Sequence, residues 1–375
     1  MPRSASLTNG KVTFSEVVKD QNGDNIFLKS VVLSEINGSL NSGKQVPSWL
    51  NWKENKQIKK DGSVELTVDL LLEKGSLNDG DTYTFELNGS DGKKSAIRTV
   101  SLTVLSEFFN TASYDGKSLN IESETSSQSV GGIHVKPGGD SFYVANGRDV
   151  IHRYNLTNSW DLSSASYTGD SYSVSSQINY ATDLFFKPDG TKMFVLGGGT
   201  SEYIYEYSLT NPWDITSASY NNTSLNISGE DNNPNGMHIK EEGDRFFIIG
   251  RGDDSVWSYS MSSAWDIGSG SYDNIKFDVS RPSRYENGYP TDIFVKPGGE
   301  KFFVMFAAGE DILSYDLSST WDVTTASYSG KQFSVSSEDV FPQGIYFKED
   351  INKLFLLGEA SEVFANQEAG VYQYS

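Results

Sequence analysis

The stretch WDITSASY, residues 213–220, decides how this sequence is interpreted because the chain repeats it. Three full variants and one half-copy occur: WDLSSASY at 160–167, WDIGSGSY at 265–272, WDVTTASY at 321–328 and FFNTASY at 108–114. The Trp-Asp pairs are 53, 52 and 56 residues apart. Self-similarity at a fixed period of this size is typical of repeat architectures.

A second repeated phrase has a matching spacing and occurs five times. Its copies are IHVKPGG from Ile133, LFFKPDG from Leu184, MHIKEEG from Met237, IFVKPGG from Ile293 and IYFKEDI from Ile345. An apolar segment, a polar turn and a Tyr-rich segment follow each copy, and the Trp-Asp phrase comes next in four of them. Each repeat therefore predicts about four short strands, which is the content of one β-propeller blade.

The incomplete copies predict how the ring closes. The chain ends at VYQYS, where a Trp-Asp phrase and an outer strand are due, and the repeat region opens with an outer strand that has no blade before it. We expect Tyr114–Ile121 to complete the blade formed by residues 343–375, closing a five-bladed propeller over residues 106–375. Closure removes the sheet edges that would otherwise invite aggregation.

The unit PTDIFVKPGGEKFFVM, from Pro290, resembles the KPDGTKMFV-type propeller repeats of phage, marine phage especially, and of some bacterial surface proteins. The resemblance covers about 270 residues and is specific for the fold. It implies a protein exposed on the surface of a particle or a cell, and it carries no catalytic motif.

Residues 1–105 lack both phrases and predict a separate β-sandwich. Alternating apolar residues mark strands at Val64–Leu70, Tyr83–Leu87 and Val100–Val104, because period-two alternation buries one face of a strand. VPSWLNW from Val46 and the segment from Gly80 resemble the cadherin-like and immunoglobulin-like modules of bacterial and phage surface proteins. We interpret this region as an Ig-like anchoring domain, and DQNGDN from Asp20 as a turn rather than a calcium loop, since it lacks the downstream Glu of an EF-hand.

Composition limits the partners. The formal net charge of −20 argues against binding to nucleic acid or to an anionic membrane. The absence of cysteine excludes disulfides and thiolate metal sites. The N-terminal segment has no apolar stretch of signal-peptide length, and no run approaches the ~18 apolar residues of a membrane span. We expect synthesis in a host cytoplasm and location on a virion.

Residues present in every blade are predicted to be structural. We expect the four repeated tryptophans to pack at the blade periphery and the following aspartates to accept backbone hydrogen bonds in a turn. We expect the repeated lysines to form turn salt bridges. These residues are Trp160, Trp213, Trp265 and Trp321, with Lys136, Lys187, Lys240, Lys296 and Lys348.

Function is sought where the blades differ, just before each innermost strand. Tyr180 with Asp183, and Tyr289 with Asp292, combine an aromatic ring with a carboxylate, and Phe341 is the equivalent aromatic in the last blade. Such residues at one mouth of the central channel could stack on a sugar or hold a cation. The alternative is that they are ordinary packing residues of the loops.

No catalytic constellation is recognised. The sequence has no HExxH, GxSxG, Walker or Rossmann pattern. His134 and His238 occupy strand positions where other blades have Phe185, Phe294 and Tyr346, which predicts that they fill space. Arg-Gly-Asp at Arg251 is interpreted as part of a hairpin turn. We expect no cofactor and no metal.

The sequence therefore predicts a non-enzymatic virion structural protein, a head decoration or fibre. The N-terminal domain would contact other virion proteins of the capsid or tail, and the propeller would bind protein or host-surface glycans. The alternatives are a tail-associated receptor-binding protein or a bacterial surface adhesin. A propeller glycosidase remains a further alternative, because paired carboxylates are its requirement.

Overall fold

The computed structural model divides the chain into two compact units, Met1–Asn110 and Thr111–Ser375. In the first unit it describes the backbone of eight strands up to residue 103, and from there it describes residues 108–125, 129–199, 202–279, 288–307, 309–339, 341–360 and 368–375. Within these residues no helix has the length and apolarity to cross a bilayer.

The first unit contains two four-stranded antiparallel sheets. Their strands are β1 (Leu7–Thr8), β2 (Lys11–Glu16), β3 (Phe27–Ile36), β4 (Ser39–Leu40), β5 (Leu50–Ile58), β6 (Val64–Leu72), β7 (Thr82–Ser90) and β8 (Ser95–Thr103). One sheet has the order β1-β2-β6-β5 and the other β4-β3-β7-β8. The predicted segments Val64–Leu70 and Tyr83–Leu87 lie in β6 and β7, and the third lies in β8 as far as Thr103, with Val104 outside the described residues. The Ig-like packing of the two sheets stays a prediction, and the DQNGDN segment lies outside the described residues.

The second unit is a five-bladed propeller, as the repeats predict, and each blade is a four-stranded antiparallel sheet. The short helices α1 (Phe108–Thr111) and α2 (Glu122–Thr125) flank the strand β9 (Tyr114–Asn120). Blade 1 contains β10 (Ile133–Val135), β11 (Ser141–Ala145), β12 (Val150–Leu156) and β13 (Ala165–Ser173). Blade 2 contains β14 (Ala181–Phe186), β15 (Lys192–Gly197), β16 (Tyr203–Leu209) and β17 (Ala218–Asn226). Blade 3 contains β18 (Pro234–Ile239), β19 (Arg245–Gly250), β20 (Ser255–Met261) and β21 (Gly270–Asp278). Blade 4 contains β22 (Pro290–Val295), β23 (Lys301–Phe306), β24 (Asp311–Leu317) and β25 (Ala326–Ser334).

Blade 5 joins the two ends of the repeat region. Its strands are β26 (Pro342–Phe347), β27 (Leu354–Gly358) and β28 (Gly370–Tyr374), and its fourth strand is β9. The pairing runs from Gly370 opposite Asn120 to Tyr374 opposite Tyr114. The predicted closure by an N-terminal outer strand is therefore confirmed.

The hydrophobic core lies in the seams between blades. One cluster combines Val144 and Tyr154 of blade 1 with Phe355 and Val371 of blade 5. Further clusters join blade 1 to blade 2, blade 2 to blade 3 and blade 3 to blade 4. Because one sheet cannot bury both its faces alone, the ring is what makes each blade stable.

Every outermost strand carries a β-bulge. The register between the third and fourth strands shifts once in each blade. A residue with positive φ lies in each outermost strand, and these residues are Gly116, Gly169, Asn222, Asn274 and Gly330. A bulge bends an exposed strand and makes it a poor template for pairing with another chain.

The repeated Trp-Asp phrase connects each blade to the one before it. The Trp213 N–H donates to the Gly190 carbonyl oxygen at 3.0 Å, and its own carbonyl oxygen accepts the Tyr143 hydroxyl of blade 1 at 2.6 Å. The carbonyl oxygens of Trp265 and Trp321 accept in the same way from Lys192 and Arg245. The tryptophan of the phrase therefore hydrogen-bonds each of these three blades to the blade before it.

The tryptophan rings lie in the seams, and not at the blade periphery as the sequence predicted. Each ring packs on an aromatic residue of the second strand in the preceding blade, with centroids 5.9–6.3 Å apart: Trp160 on Phe355, Trp213 on Tyr143, Trp265 on Phe194 and Trp321 on Phe247. The turn glycine of the same blade lies so close that a Cβ atom at Gly190 would be 2.3 Å from Trp213 Cδ1.

The aspartate after each tryptophan caps a short 3₁₀ helix, which confirms its predicted role. Asp161, Asp214, Asp266 and Asp322 each accept the backbone N–H two residues on. The repeated lysines form ion pairs in their turns, as predicted: Lys136 with Asp140, Lys187 with Asp189, Lys240 with Asp244, Lys296 with Glu300 and Lys348 with Asp350.

Candidate binding site at the channel mouth

The five innermost strands surround a narrow central channel. Inside it, one aromatic residue from each blade forms a closed ring: His134, Phe185, His238, Phe294 and Tyr346. Neighbouring centroids are 4.9–5.5 Å apart, and neighbouring planes are inclined by 69–74°, about a fifth of a full turn. Edge-to-face contacts of this kind are favourable for aromatic pairs.

The two histidines of this ring are space-filling residues, as their strand positions predict. Burial lowers the pKa of His134 to about 3, with a further contribution from His238, and burial lowers the pKa of His238 to about 3. Both imidazoles are therefore neutral at physiological pH. The cavity that these and neighbouring residues line is about 10 Å³, which is about the least space that one ordered water needs.

Asp183 and Asp292 lie inside the channel, where they hold the blades together. The Asp183 carboxylate accepts the Leu184 N–H of its own blade and the Met237 N–H of blade 3, both at 2.7 Å. Asp292 does the same with Ile293 and with Ile345 of blade 5, also at 2.7 Å. Burial raises the pKa of Asp183 to about 8, and burial together with the Asp183 charge raises the pKa of Asp292.

Glycines stand at the equivalent positions of the other three blades for a steric reason. A Cβ atom at Gly132 would lie 1.8 Å from the Asp183 Oδ1 atom, and one at Gly236 would lie 2.6 Å from the Asp292 Oδ1 atom. Each carboxylate thus occupies the space that a side chain in the preceding blade would need. The two aspartates are buried, 3–4 % exposed, so they do not join the aromatic residues at the rim.

The aromatic residues predicted for the site stand at the mouth, three positions before this glycine and aspartate layer. Tyr180, Tyr289 and Phe341 directly precede the first residues of β14, β22 and β26. These three innermost strands all begin at the same end of the ring. Tyr180 is 42 % exposed, and its hydroxyl lies 3.1 Å from Ser129 Oγ in the segment that leads into blade 1. The Arg251 guanidinium lies over one face of the Tyr289 ring, 5.1 Å from the ring centroid.

Two charged residues at the mouth were missed from the sequence, Arg251 and Glu359. Glu359 accepts from Gln343 Nε2 at 3.3 Å and is hydrogen-bonded to Ser129. Burial raises its pKa, while the Ser129 hydrogen bond and the Arg251 charge lower it. Both residues follow the second strand of their blade, at the end where the chain enters the innermost strand of the next blade. In an antiparallel blade the second strand ends where the first strand begins, so the strand order alone could have placed them at this end of the ring.

The described residues contain no cluster of three or more His, Cys, Asp or Glu that could hold a metal ion. The mouth instead combines two oriented phenol rings with a guanidinium, a carboxylate and an amide. Such a set can stack on the face of a ligand and hydrogen-bond its edge.

These features define a β-propeller whose channel contains a cavity of about 10 Å³ and whose mouth is polar and aromatic. No protein-family model matches the sequence, and no curated protein matches it. Among solved structures, the chain is similar to a Bacteroides uniformis protein assigned as a 6-phosphogluconolactonase, with 8 % identity and a TM-score of 0.39 over 80 % of this chain and 74 % of that one.

Two other solved structures show the same level of likeness. The periplasmic gluconolactonase of Pseudomonas aeruginosa has 10 % identity and a TM-score of 0.36 over 79 % of this chain and 78 % of that one. The Cps50 (Swd1) propeller domain of Myceliophteria thermophila has 9 % identity and a TM-score of 0.34 over 65 % and 71 %. Identity this low says nothing about substrate or activity, and the five-blade assignment stands on the strand pairing.

Proposed function

We propose that this chain is a non-enzymatic binding protein on the surface of a phage virion, a head decoration or fibre. In this proposal the N-terminal unit contacts other virion proteins and the propeller displays its mouth to protein or glycan ligands. The repeat resemblance supports the virion context, and the net charge of −20 supports an exposed surface that avoids nucleic acid and anionic membranes.

The observation that supports a binding role is that the residues inside the channel and the residues at its mouth have different roles. The carboxylates of Asp183 and Asp292 each accept one backbone N–H from their own blade and one from the next blade, and the imidazoles of His134 and His238 fill an aromatic ring. The groups best suited to acid–base chemistry thus serve the scaffold. The mouth, by contrast, presents Tyr180 to solvent.

The same observation weighs against the glycosidase alternative. A glycosidase needs one carboxylic acid and one carboxylate beside an open cleft. Here the two channel carboxylates lie beside a cavity of about 10 Å³, too small for a sugar ring. Replacing both by Asn would abolish a hydrolysis that used them, so activity surviving in that variant would have to arise elsewhere.

Immunogold labelling of intact particles from the source, with antibody against residues 107–375, tests the proposal. Label over the head supports a decoration protein. Label at the tail tip would change the assignment to a receptor-binding protein, and label on cells but on no particle would favour an adhesin and overturn the virion proposal.

A further inference from the structure

Tyr180 is unusual for a residue of its size. Within the described part of the chain, the large apolar side chains that are exposed are Tyr180, at 42 %, and Tyr328, at 45 %. The Tyr180 hydroxyl lies 3.1 Å from Ser129 Oγ, which restrains the edge of the ring, while the side chain remains 42 % exposed. A tyrosine with few rotatable bonds presents contact area at a low entropic cost, which favours binding.

Tyr289 supplies a second oriented ring at the same mouth. The Arg251 guanidinium lies over it at 5.1 Å, within the range of a cation–π contact. The Arg251 N–H also donates to the Asn233 carbonyl oxygen at 3.1 Å, so the turn that carries the guanidinium is tied to the entry of blade 3. The mouth therefore has two separate aromatic residues, each held by a different partner.

Planar polar groups of blade 5 stand at the same mouth. Glu359 is bonded both to Ser129 and to Gln343, and Gln343 also donates to the Phe341 carbonyl oxygen at 3.4 Å. A carboxylate and an amide together offer acceptors and donors in fixed planes, and each hydroxyl of a sugar is both a donor and an acceptor. Aromatic faces with planar polar edges match a pyranose ring, which has C–H groups on its faces and hydroxyls around its rim.

The charge at the mouth favours a neutral ligand. Burial raises the pKa of Glu359, and the Ser129 hydrogen bond and the Arg251 charge offset part of that rise. A carboxylate on the ligand would add a second negative charge beside Glu359 on a protein whose net charge is −20. Such charges repel one another most strongly where they are partly shielded from water.

We infer that the channel mouth is a carbohydrate-binding site for a neutral sugar unit, which stacks on Tyr180 and Tyr289 and is hydrogen-bonded by Glu359 and Gln343. This inference rests on the proposed binding role and names its ligand class. The aromatic ring below the mouth blocks the channel, so a single terminal or internal sugar is held at the surface and no chain passes through.

The test is binding of the full chain to an array of free oligosaccharides, in which neutral sugars are matched with uronic or sialylated forms. We expect binding to a subset of the neutral sugars. In titrations with the best of them, Tyr180→Ala should weaken binding at least tenfold. Tyr328→Ala is the matched control, because it removes an equally exposed tyrosine from the outer strand of blade 4, and it should leave the affinity unchanged.

Glu359→Gln gives a second readout that a general loss of structure would not produce. It keeps a planar hydrogen-bonding group and removes the charge, so the ratio of the affinity for the matched acidic form to the affinity for the neutral sugar should rise at least threefold relative to the original chain. Unchanged thermal unfolding of the three variants would show that each is folded.

Three results would overturn the inference: no sugar bound, binding to acidic sugars alone, or equal losses for Tyr180→Ala and Tyr328→Ala. If particles are labelled but no sugar binds, the inference fails and the virion role stands. If a neutral sugar binds through Tyr180 but no particle is labelled, the virion role fails and the carbohydrate site stands.

Discussion

Single residues in this propeller are determined by contacts between neighbouring repeats. Gly190 combines a φ of +73° with a tryptophan ring where its side chain would be, and Gly132 faces a carboxylate of the next blade. The sequence identified the repeated Trp-Asp and Lys residues as structural because they recur. It could not show that Asp183 turns inward while Tyr180, three residues earlier, turns outward, because that depends on the Met237 N–H of another blade.

Gly190→Ala should destabilise the protein more than Gly169→Ala. Both glycines have positive φ, but nothing lies within 4 Å of a Cβ atom at Gly169. The left-handed backbone alone costs about 1–2 kcal/mol, and the clash with Trp213 should bring the Gly190→Ala loss to roughly 3 kcal/mol or more. Urea unfolding of the two variants measures the difference, and equal losses would show that the tryptophan moves aside freely.

Asp183→Asn should flatten the dependence of stability on pH. The folded pKa of about 8 lies above the ordinary 3.8, so the folded state binds more protons between these values. Stability from this group is therefore fully present below about pH 4 and is lost as the pH rises through 8. Asn cannot ionise, but its NH₂ cannot accept one of the two backbone N–H groups, which should cost about 1–3 kcal/mol.

Denaturant unfolding from pH 4.5 to 8.5 checks this expectation. The original chain should lose more stability across the range than the variant does, and the residual slope of the variant sums the other shifted groups, with Asp292 and Glu359 acting in one direction and the two buried histidines in the other. The same slope in both proteins would mean that Asp183 stays ionised throughout.

At the scale of elements, the innermost strands show what periodicity can and cannot predict. The five innermost strands, their order around the ring and the closing strand could be predicted from the two repeated phrases, because the pattern of buried residues is repeated in each blade. The equivalence of His134 and His238 with Phe185, Phe294 and Tyr346 was also readable, and it predicts their packing role. The turns that bring Arg251 and Glu359 to the mouth differ in length and composition between blades, so no repeat marks them.

Replacing both histidines of the aromatic ring by Phe should increase resistance to acid. Their folded pKa values of about 3 lie below 6.5, so the folded state binds fewer protons between these values. Their contribution is full above about pH 6.5 and is lost as the pH falls toward 3. Phe fits this layer in two other blades and cannot be protonated.

The measurement is the melting temperature of His134→Phe/His238→Phe and of the original chain. We expect a higher value for the variant at pH 4 and a small difference at pH 7.5, which serves as the internal control. A variant that melts earlier at both values would show that the imidazoles contribute more than their shape.

At the scale of the whole molecule, the propeller is a ring closed without a covalent bond. The closing contact is the pairing of β9 with β28, together with the Ile121 N–H bonded to the Ala369 carbonyl oxygen at 3.0 Å. Alternation from that bonded pair makes Asn120 and Gly370 a pair without mutual hydrogen bonds, in which side chains come close.

A disulfide introduced by Asn120→Cys and Gly370→Cys should therefore lock the ring. The chain has no other cysteine to compete. We expect the oxidised variant to be more stable than its reduced form by about 2–4 kcal/mol, measured by thermal unfolding with and without a reducing agent. The reduced form of the same variant controls for the substitutions, and identical melting of both forms would show that strain in the folded ring cancels the effect of the cross-link on the unfolded chain.

The hydrogen bonds of the two channel carboxylates join some of the blades in pairs. Each aspartate accepts hydrogen bonds from its own blade and from the next, so blades 2 and 3 form one pair and blades 4 and 5 another. Because the ring has five blades, blade 1 belongs to neither pair. Blade 5 contacts blade 1 through two glycines, Gly132 and Gly344. The blades are alike in outline but not interchangeable. Loss of blade 2, 3, 4 or 5 alone would remove one partner of a shared carboxylate, whereas loss of blade 1 or of a whole pair would leave every remaining carboxylate with both its partners.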